Sequence, residues 1–245
     1  MNKETANSTN IYTSLTLKFH DWWTLSVPNH FAWQCSTSKV LVPYFKNNSG
    51  LRHLDVGVGT GFYLQHLPPE SEVLLMDVNQ KSLTVAKQRV GKLHHTTTIK
   101  HDIFSPLPQQ HEEQFDSVSL YYLLHCLPGS LAEKTIALRN ASTALKPQGT
   151  LFGATILGNG VSHNFFGKKL MSIYNSKGIF SNKQDTEADL RHALKGIFKS
   201  VEIINVGKVA LFAASGKING GGRHSTCGQS RLLPPKFINE QAVWH

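Results

Sequence analysis

The residues most able to do chemistry lie in one short stretch, Leu54-Asp-Val-Gly-Val-Gly-Thr-Gly61. Glycines at 57, 59 and 61, with Thr60 between the last two, let a backbone turn tightly and approach a ligand closely. The stretch follows an apolar run that reads as a strand, and a helix is expected after it, ending near Pro68. Such a turn at the mouth of a parallel sheet is a nucleotide-type site. The spacing narrows the ligand. A dinucleotide fingerprint needs G-x-G-x-x-G, yet residue 62 is Phe, and a P-loop fails because no Gly-Lys-Ser/Thr follows. The observed pattern is G-x-G-x-G preceded by Asp55, a turn poorly built for a pyrophosphate. A second carboxylate, Asp77, ends the next apolar run 22 residues after Asp55, near the offset of about 20 expected of a ribose-binding acid.

These residues need a scaffold, and the chain from Leu51 to about Ser215 supplies one. Short apolar runs at Leu51–Val56, Val73–Asp77, Thr97–His101, Ser117–Tyr122, Thr150–Ile156, Val201–Val206 and Lys208–Ala214 read as strands. Helical patterns fall between them. Asn79 can cap a helix carrying Leu83, Ala86 and Val90 on one face, and Ser130 with Glu133 reads as a capping box for a helix to about Leu145. Thr186 with Asp189 opens another before Leu190, Leu194 and Ile197. This alternation predicts an α/β fold, doubly wound, with a mostly parallel seven-stranded sheet. Only Gly207 separates the last two strands, too short for a crossover helix, so they form a hairpin and the sheet has an antiparallel edge strand.

With the motifs placed in order, a family resemblance emerges. Asp55-Val-Gly-Val-Gly-Thr-Gly61 resembles the first motif of class I S-adenosylmethionine-dependent methyltransferases, which are Rossmann-like. Leu74-Leu-Met-Asp77 resembles their second strand, His101-Asp102-Ile103 the turn after the third, Phe115 to His125 the fourth strand and its exit, and Leu145 to Leu151 the turn into the fifth. The resemblance implies a cofactor site. The backbone at Gly57, Gly59, Thr60 and Gly61 would pass under the methionyl part, and Asp55 would help place its amino group. Asp77 would accept both ribose hydroxyls, Val78 would pack on the adenine, and Asp102 and the Ile103 amide would meet the adenine edge. Carbonyls near Leu120 and Tyr121 would take further donors. The cofactor would be S-adenosylmethionine and the product S-adenosylhomocysteine. Asp102, as an Asp after a strand, is also an ordinary cap.

The acceptor side is less legible. His125, just beyond the fourth strand, is the candidate general base, and it reads equally as a histidine that packs or caps. Residues 11–46 hold eight of the 23 aromatics, so 1–50 read as a helical cap over the active site. Tyr12, Trp22 and Trp23 are its candidate acceptor-binding residues, although an added helical layer also needs large residues for its own core. A second cover is expected at 157–181, with Phe165, Phe166, Leu170 and Ile173 at helical spacing. The domain proper is 51–216. The tail 217–245, with Gly220-Gly221-Gly222 and Pro234-Pro235, shows no periodicity and reads as disordered or added.

Composition bounds the remaining readings. At 245 residues and 40% hydrophobic, the chain can bury a sizeable core. Its longest uninterrupted apolar run, six residues from Val209 to Ala214, predicts no membrane-spanning helix, which needs about 20. Three scattered cysteines argue for a reducing compartment and against a disulfide framework, so a cytoplasmic location is expected. The histidines lack metal-like clustering, and no metal is expected. The net charge of +9 leaves 51–150 neutral and falls mainly on the last third, without one concentrated Lys/Arg face. The expected acceptor is therefore a small, partly aromatic or apolar molecule, methylated by in-line transfer. Three alternatives stay open: a methyltransferase acting on RNA or protein, an NAD(P)-dependent oxidoreductase, and a non-catalytic relative that binds the cofactor. The glycine spacing and the lack of a Tyr-x-x-x-Lys dyad weigh against the oxidoreductase.

Overall fold

The computed structural model describes Asn29 and residues 31–218. Seven strands form one sheet: β1 Arg52–Val56, β2 Glu72–Asp77, β3 His95–Lys100, β4 Phe115–Tyr121, β5 Leu145–Ile156, β6 Phe198–Val206 and β7 Val209–Lys217. Their spatial order is β3-β2-β1-β4-β5-β7-β6. The first five run parallel, and β7 runs against both β5 and β6. The antiparallel hairpin thus lies at that edge of the sheet, with β7 second from the end and β6 outermost. Gly207, at φ +59, makes the tight link between them.

Among the described residues, five α-helices accompany the sheet: α1 Val42–Asn48, α2 Gln80–Val90, α3 Leu131–Thr143, α4 Phe165–Ser176 and α5 Glu187–Lys195. The expected caps form. Asn79 accepts from the Lys81 amide, Ser130 and Glu133 close a reciprocal capping box, and Thr186 accepts from the Asp189 amide. Strand residues alternate between two faces, and both faces are covered. Leu54, Val56, Leu74, Met76, Val118 and Leu120 join one apolar cluster with α3 and α5. Val73, Leu75, Phe152 and Ala154 join the other with α1 and α2.

Three expectations need correction. The helix after the glycine turn is only a 3-10 turn, Tyr63–His66. Six residues separate Gly61 from Pro68-Pro69, too few to seat several turns of α-helix. The helix expected to reach Leu145 ends at Thr143, and β5 begins at Leu145, where its pairing with β4 shifts register between Phe115 and Ser117. Of the apolar positions expected on one face of α4, Leu170 is buried together with Met171, whereas Phe165 is 85% and Phe166 40% exposed. Among the described residues, no helix is long and apolar enough to cross a membrane.

Candidate cofactor and acceptor site

The sheet order reverses direction between β1 and β4, because β1 leads outward to β2 and β3 on one side and β4 leads to β5 on the other. Ligands of doubly wound folds bind at the carboxyl ends of the strands at that switch point. The glycine turn sits there. The Gly57 amide donates to the Met76 carbonyl at 2.8 Å, tying the exit of β1 to β2. Gly57 is at φ +75, a conformation that favours glycine, and a Cβ there would stand 2.6 Å from Leu123 Cδ1, so that side chain would also have to shift. Gly59, at φ +51, borders open space, with nothing within 4 Å of where its Cβ would lie. Gly61 packs against Ala86 of α2. Thr60 is buried, and its hydroxyl accepts from Arg89 of α2 at 3.1 Å.

Two carboxylates flank this cradle. Asp55, in β1, is buried and accepts a short hydrogen bond from the Ser119 hydroxyl. Burial pushes its carboxyl up to about 7, the Ser119 bond pulls it down, and Asp77 adds to the rise. Asp77, at the end of β2, accepts from the Asn79 amide at 2.8 Å and from the amides of Gly59, Val58 and Val78. Burial still raises it to about 6. Val78 follows it, half-buried. An open cradle with two acceptor-only groups, one on each side, fits a ligand that offers an ammonium group and a diol. The residues present therefore fit the methyl donor that the glycine motif implies.

The remaining expected residues lie at the same edge in different states. Asp102 Oδ1 accepts from the Phe104 amide at 3.0 Å, and its carbonyl accepts from Ser105, so its side chain already closes a turn. Ile103 is buried, and its carbonyl accepts from Asn140 of α3 at 2.7 Å. Leu120 and Tyr121 pair with Gly153 and Ala154 of β5. The Tyr121 hydroxyl donates to the Leu41 carbonyl at 2.7 Å, and its ring lies 4.5 Å from that of Tyr63. Tyr122 follows in the left-handed region at φ 61, a conformation that is uncommon for a bulky residue and gathers at functional sites. Its hydroxyl donates to Asn29 at 3.0 Å. Tyr12, Trp22 and Trp23 lie outside the described residues.

His125 sits in a 3-10 turn, Leu124–Cys126, and is buried. Its Nδ1 accepts from the Ile156 amide at 3.3 Å, so the lone pair there is engaged and Nε2 carries the proton. Burial, with a smaller contribution from Lys134, pushes it down to about 3. Its ring packs edge-on against Phe180 at 4.5 Å and Tyr122 at 5.5 Å. This placement suits the packing role more than that of a free base at neutral pH.

Sequence reasoning missed two groups. His53, Ser117 and Ser119 join Asp55 in a buried polar chain on the α1 face of the two central strands. The only signal in the sequence was polar residues two apart in apolar runs. The second group anchors the segment after α4. Lys134, fully buried in α3, donates to Asp185 and to the Ser181 carbonyl, both at 2.6 Å. Asn182 donates to the Ile156 carbonyl at 2.7 Å, and the Ser181 amide donates to the His125 carbonyl at 2.8 Å. Among the described residues, no three His, Cys, Asp or Glu side chains group as metal ligands.

Comparison with known proteins places this geometry. Residues 54–151 match the family described as a methyltransferase domain. The uncharacterized protein YbcY of Escherichia coli (strain K12) is 51% identical over 79% of this chain and 100% of its own length. The physcion biosynthesis cluster O-methyltransferase of Aspergillus chevalieri is 40% identical over 83% of this chain and 92% of its own. Among solved structures, the N-methyltransferase NodS from Bradyrhizobium japonicum WM9, in complex with S-adenosylhomocysteine, aligns with a TM-score of 0.56 at 16% identity, covering 84% of this chain and 96% of that one. At that identity the likeness speaks for the fold. The glycine turn, the paired acids and the full-length relatives agree: the chain belongs to the class I, S-adenosylmethionine-dependent family of small-molecule methyltransferases.

Proposed function

We propose that this chain transfers a methyl group from S-adenosylmethionine to a small, partly aromatic acceptor, with an acceptor hydroxyl as the favoured target. The observation that carries the reading is the open cradle at Gly59 between two acids, buried Asp55 and half-buried Asp77. The cofactor, when bound, supplies a methyl group already activated on a sulfonium. The chain's own residues then have three tasks: to hold the cofactor, to hold the acceptor in line, and to exclude water. In this reading Asp55 accepts from the cofactor's ammonium, and Asp77 accepts the ribose hydroxyls in place of some of the loop amides it now holds. Asp102 and Ile103 border the adenine, and Leu120 and Tyr121 offer backbone carbonyls.

The acceptor belongs at the β4–β5 end. In this reading the described part of 1–50 and the segment 157–181 cover the site and 51–216 form the cofactor domain, the rest of 1–50 and 219–245 lying outside the described residues. Phe165 and Phe166 of α4, exposed beside Phe31, give this end an aromatic surface suited to a flat ligand. His125 acts here as a neutral brace between β5 and the cover. The oxygen acceptor is supported by the name of the Aspergillus chevalieri relative.

The test is thermal unfolding with S-adenosylhomocysteine and, separately, with NADPH, on wild type and Asp77→Ala. At about 100 times its dissociation constant, a ligand that binds only the native state adds roughly 2.7 kcal/mol. The expected result is a shift with S-adenosylhomocysteine alone that disappears in Asp77→Ala. A shift with NADPH instead would overturn the reading.

A further inference from the structure

Four polar side chains occupy the middle of a sheet face, packed among the buried apolar side chains Val73, Leu75, Phe152 and Ala154. β1 and β4 pair so that His53 lies opposite Ser117 and Asp55 opposite Ser119. Residues two apart in a strand share a face, so all four project to the same side. There the His53 ring is packed by Phe45 of α1, with centroids 5.6 Å apart, and by Phe152 of β5 at 5.9 Å. In such a dry layer an unpaired polar group costs about 1–3 kcal/mol. The four avoid that cost by bonding to one another in a line.

Donor counting favours one direction for the line. The Gly50 amide can only donate, and it donates to Ser117 Oγ at 2.8 Å. With the Ser117 hydroxyl donating in turn to His53 Nδ1, 2.7 Å away, that nitrogen is bare. The proton of His53 therefore sits on Nε2 and is donated to Ser119 Oγ at 3.0 Å. Ser119 in turn donates to Asp55. Every donor finds an acceptor, and the line ends on a carboxylate. Running the line backwards requires a protonated Asp55 and places the His53 proton on Nδ1. The Ser117 hydroxyl proton would then have no acceptor in the line, since both of its neighbours would be donors.

We infer that His53, acting through Ser119, is a positioning residue that holds Asp55 as an ionised acceptor for the cofactor's ammonium group, so that breaking the line narrows the pH range of cofactor binding. The inference rests on the proposed role of Asp55. Around the line, Asp77 at the end of β2 opposes a charge on Asp55, and His94 opposes one on His53. Tyr44 of α1 and Tyr121 of β4 pack on the same face and stay neutral, burial raising both phenols. Arg89 of α2 reaches the glycine turn at Thr60. Burial of His53 pushes it down to about 3, so it stays neutral and keeps one tautomer throughout the working range. The line thereby opposes the burial that favours protonated Asp55.

The experiment is S-adenosylhomocysteine affinity by titration calorimetry from pH 5.5 to 9, on wild type, Ser119→Ala, His53→Phe, His53→Gln and Asp55→Asn. Wild type should bind more weakly on the acid side of a single midpoint. Ser119→Ala and His53→Phe should move that midpoint up by about one unit, which is roughly fivefold weaker binding at the wild-type midpoint, with less than about threefold loss at pH 9. His53→Gln, whose amide can donate to Ser119, should reverse most of the shift, and Asp55→Asn should bind weakly, with any remaining acid-side loss belonging to Asp77. Ser119→Ala deletes one atom and guards against a His53→Phe chain that does not fold. Midpoints equal to wild type in both variants would overturn the inference, even if both are less stable, because that is the mark of a merely structural role. Absence of binding to wild type at every pH would instead overturn the cofactor reading beneath it.

Discussion

At the β1–β2 half of the ligand edge, backbone geometry and two carboxylates build the proposed cofactor site; at the β4–β5 half, the proposed acceptor end, buried side chains from distant segments meet. The first half is nearly contiguous, running from His53 to Asn79, and its critical positions are glycines in the left-handed region and acids at strand ends. The second half joins Trp33, Tyr122, His125, Phe180 and Asp185, which meet only because α3 and the segment after α4 pack on one another. The first is set for one ligand chemistry. The second can be repacked without touching the first, which is how a single cofactor site can serve many acceptors.

If the halves are separable, breaking one should spare the other. The largest effect is expected from Lys134→Ala. It leaves Asp185 buried without its partner, and breaking a buried pair costs about 3–5 kcal/mol. For a chain of this size the unfolding midpoint should fall by roughly 10 °C. Below that midpoint, S-adenosylhomocysteine should bind as in wild type while methyl transfer is lost. Replacing both partners, Lys134→Met with Asp185→Leu, should recover most of the stability. Loss of cofactor binding in the folded Lys134→Ala protein would show that the halves are not independent.

Asp55→Asn probes the other half with opposite signs for stability and binding. The Asp55 carboxyl is raised from 3.8 to about 7 on folding, so the folded chain holds a proton that the unfolded chain releases across that range. Stability contributed by this group therefore falls as pH rises from 4 to 7. The ligand-free variant should be more stable than wild type at pH 8, on the order of 2 kcal/mol, with the gap closing towards pH 4. The stabilisation by S-adenosylhomocysteine should nevertheless be mostly lost. Thermal scans at pH 5 and 8, with and without ligand, check both statements.

The smallest effect is expected from Phe165→Ala. The side chain is 85% exposed, so stability should change by less than about 0.5 kcal/mol. KM for an aromatic acceptor should rise about fivefold, corresponding to roughly 1 kcal/mol of lost ring packing, with cofactor affinity unchanged. An unchanged KM would place the acceptor elsewhere than beside α4.

Much of the cofactor half was legible because its requirements are local. A turn with three glycines, an acid before it and an acid at the next strand end can be read without knowing what lies across the sheet. The helix caps at Asn79, Ser130 and Thr186 were legible for the same reason. His125 was legible by position alone. Its burial and the engagement of its Nδ1 depend on Ile156, 31 residues on, and only folding brings that amide to it.

The sequence by itself therefore determined the element order, the parallel sheet with its closing hairpin, the glycine turn, and the acids at residues 55 and 77. Each follows from periodicity, link length or backbone freedom within about ten residues. Tertiary structure alone decided that His53 meets Ser117 and Ser119, 64 and 66 residues away, and that Lys134 is buried against Asp185, 51 residues away. The physical reason is register. In a parallel sheet two neighbouring strands are joined through a long crossover, so which residue faces which is set by how whole layers pack.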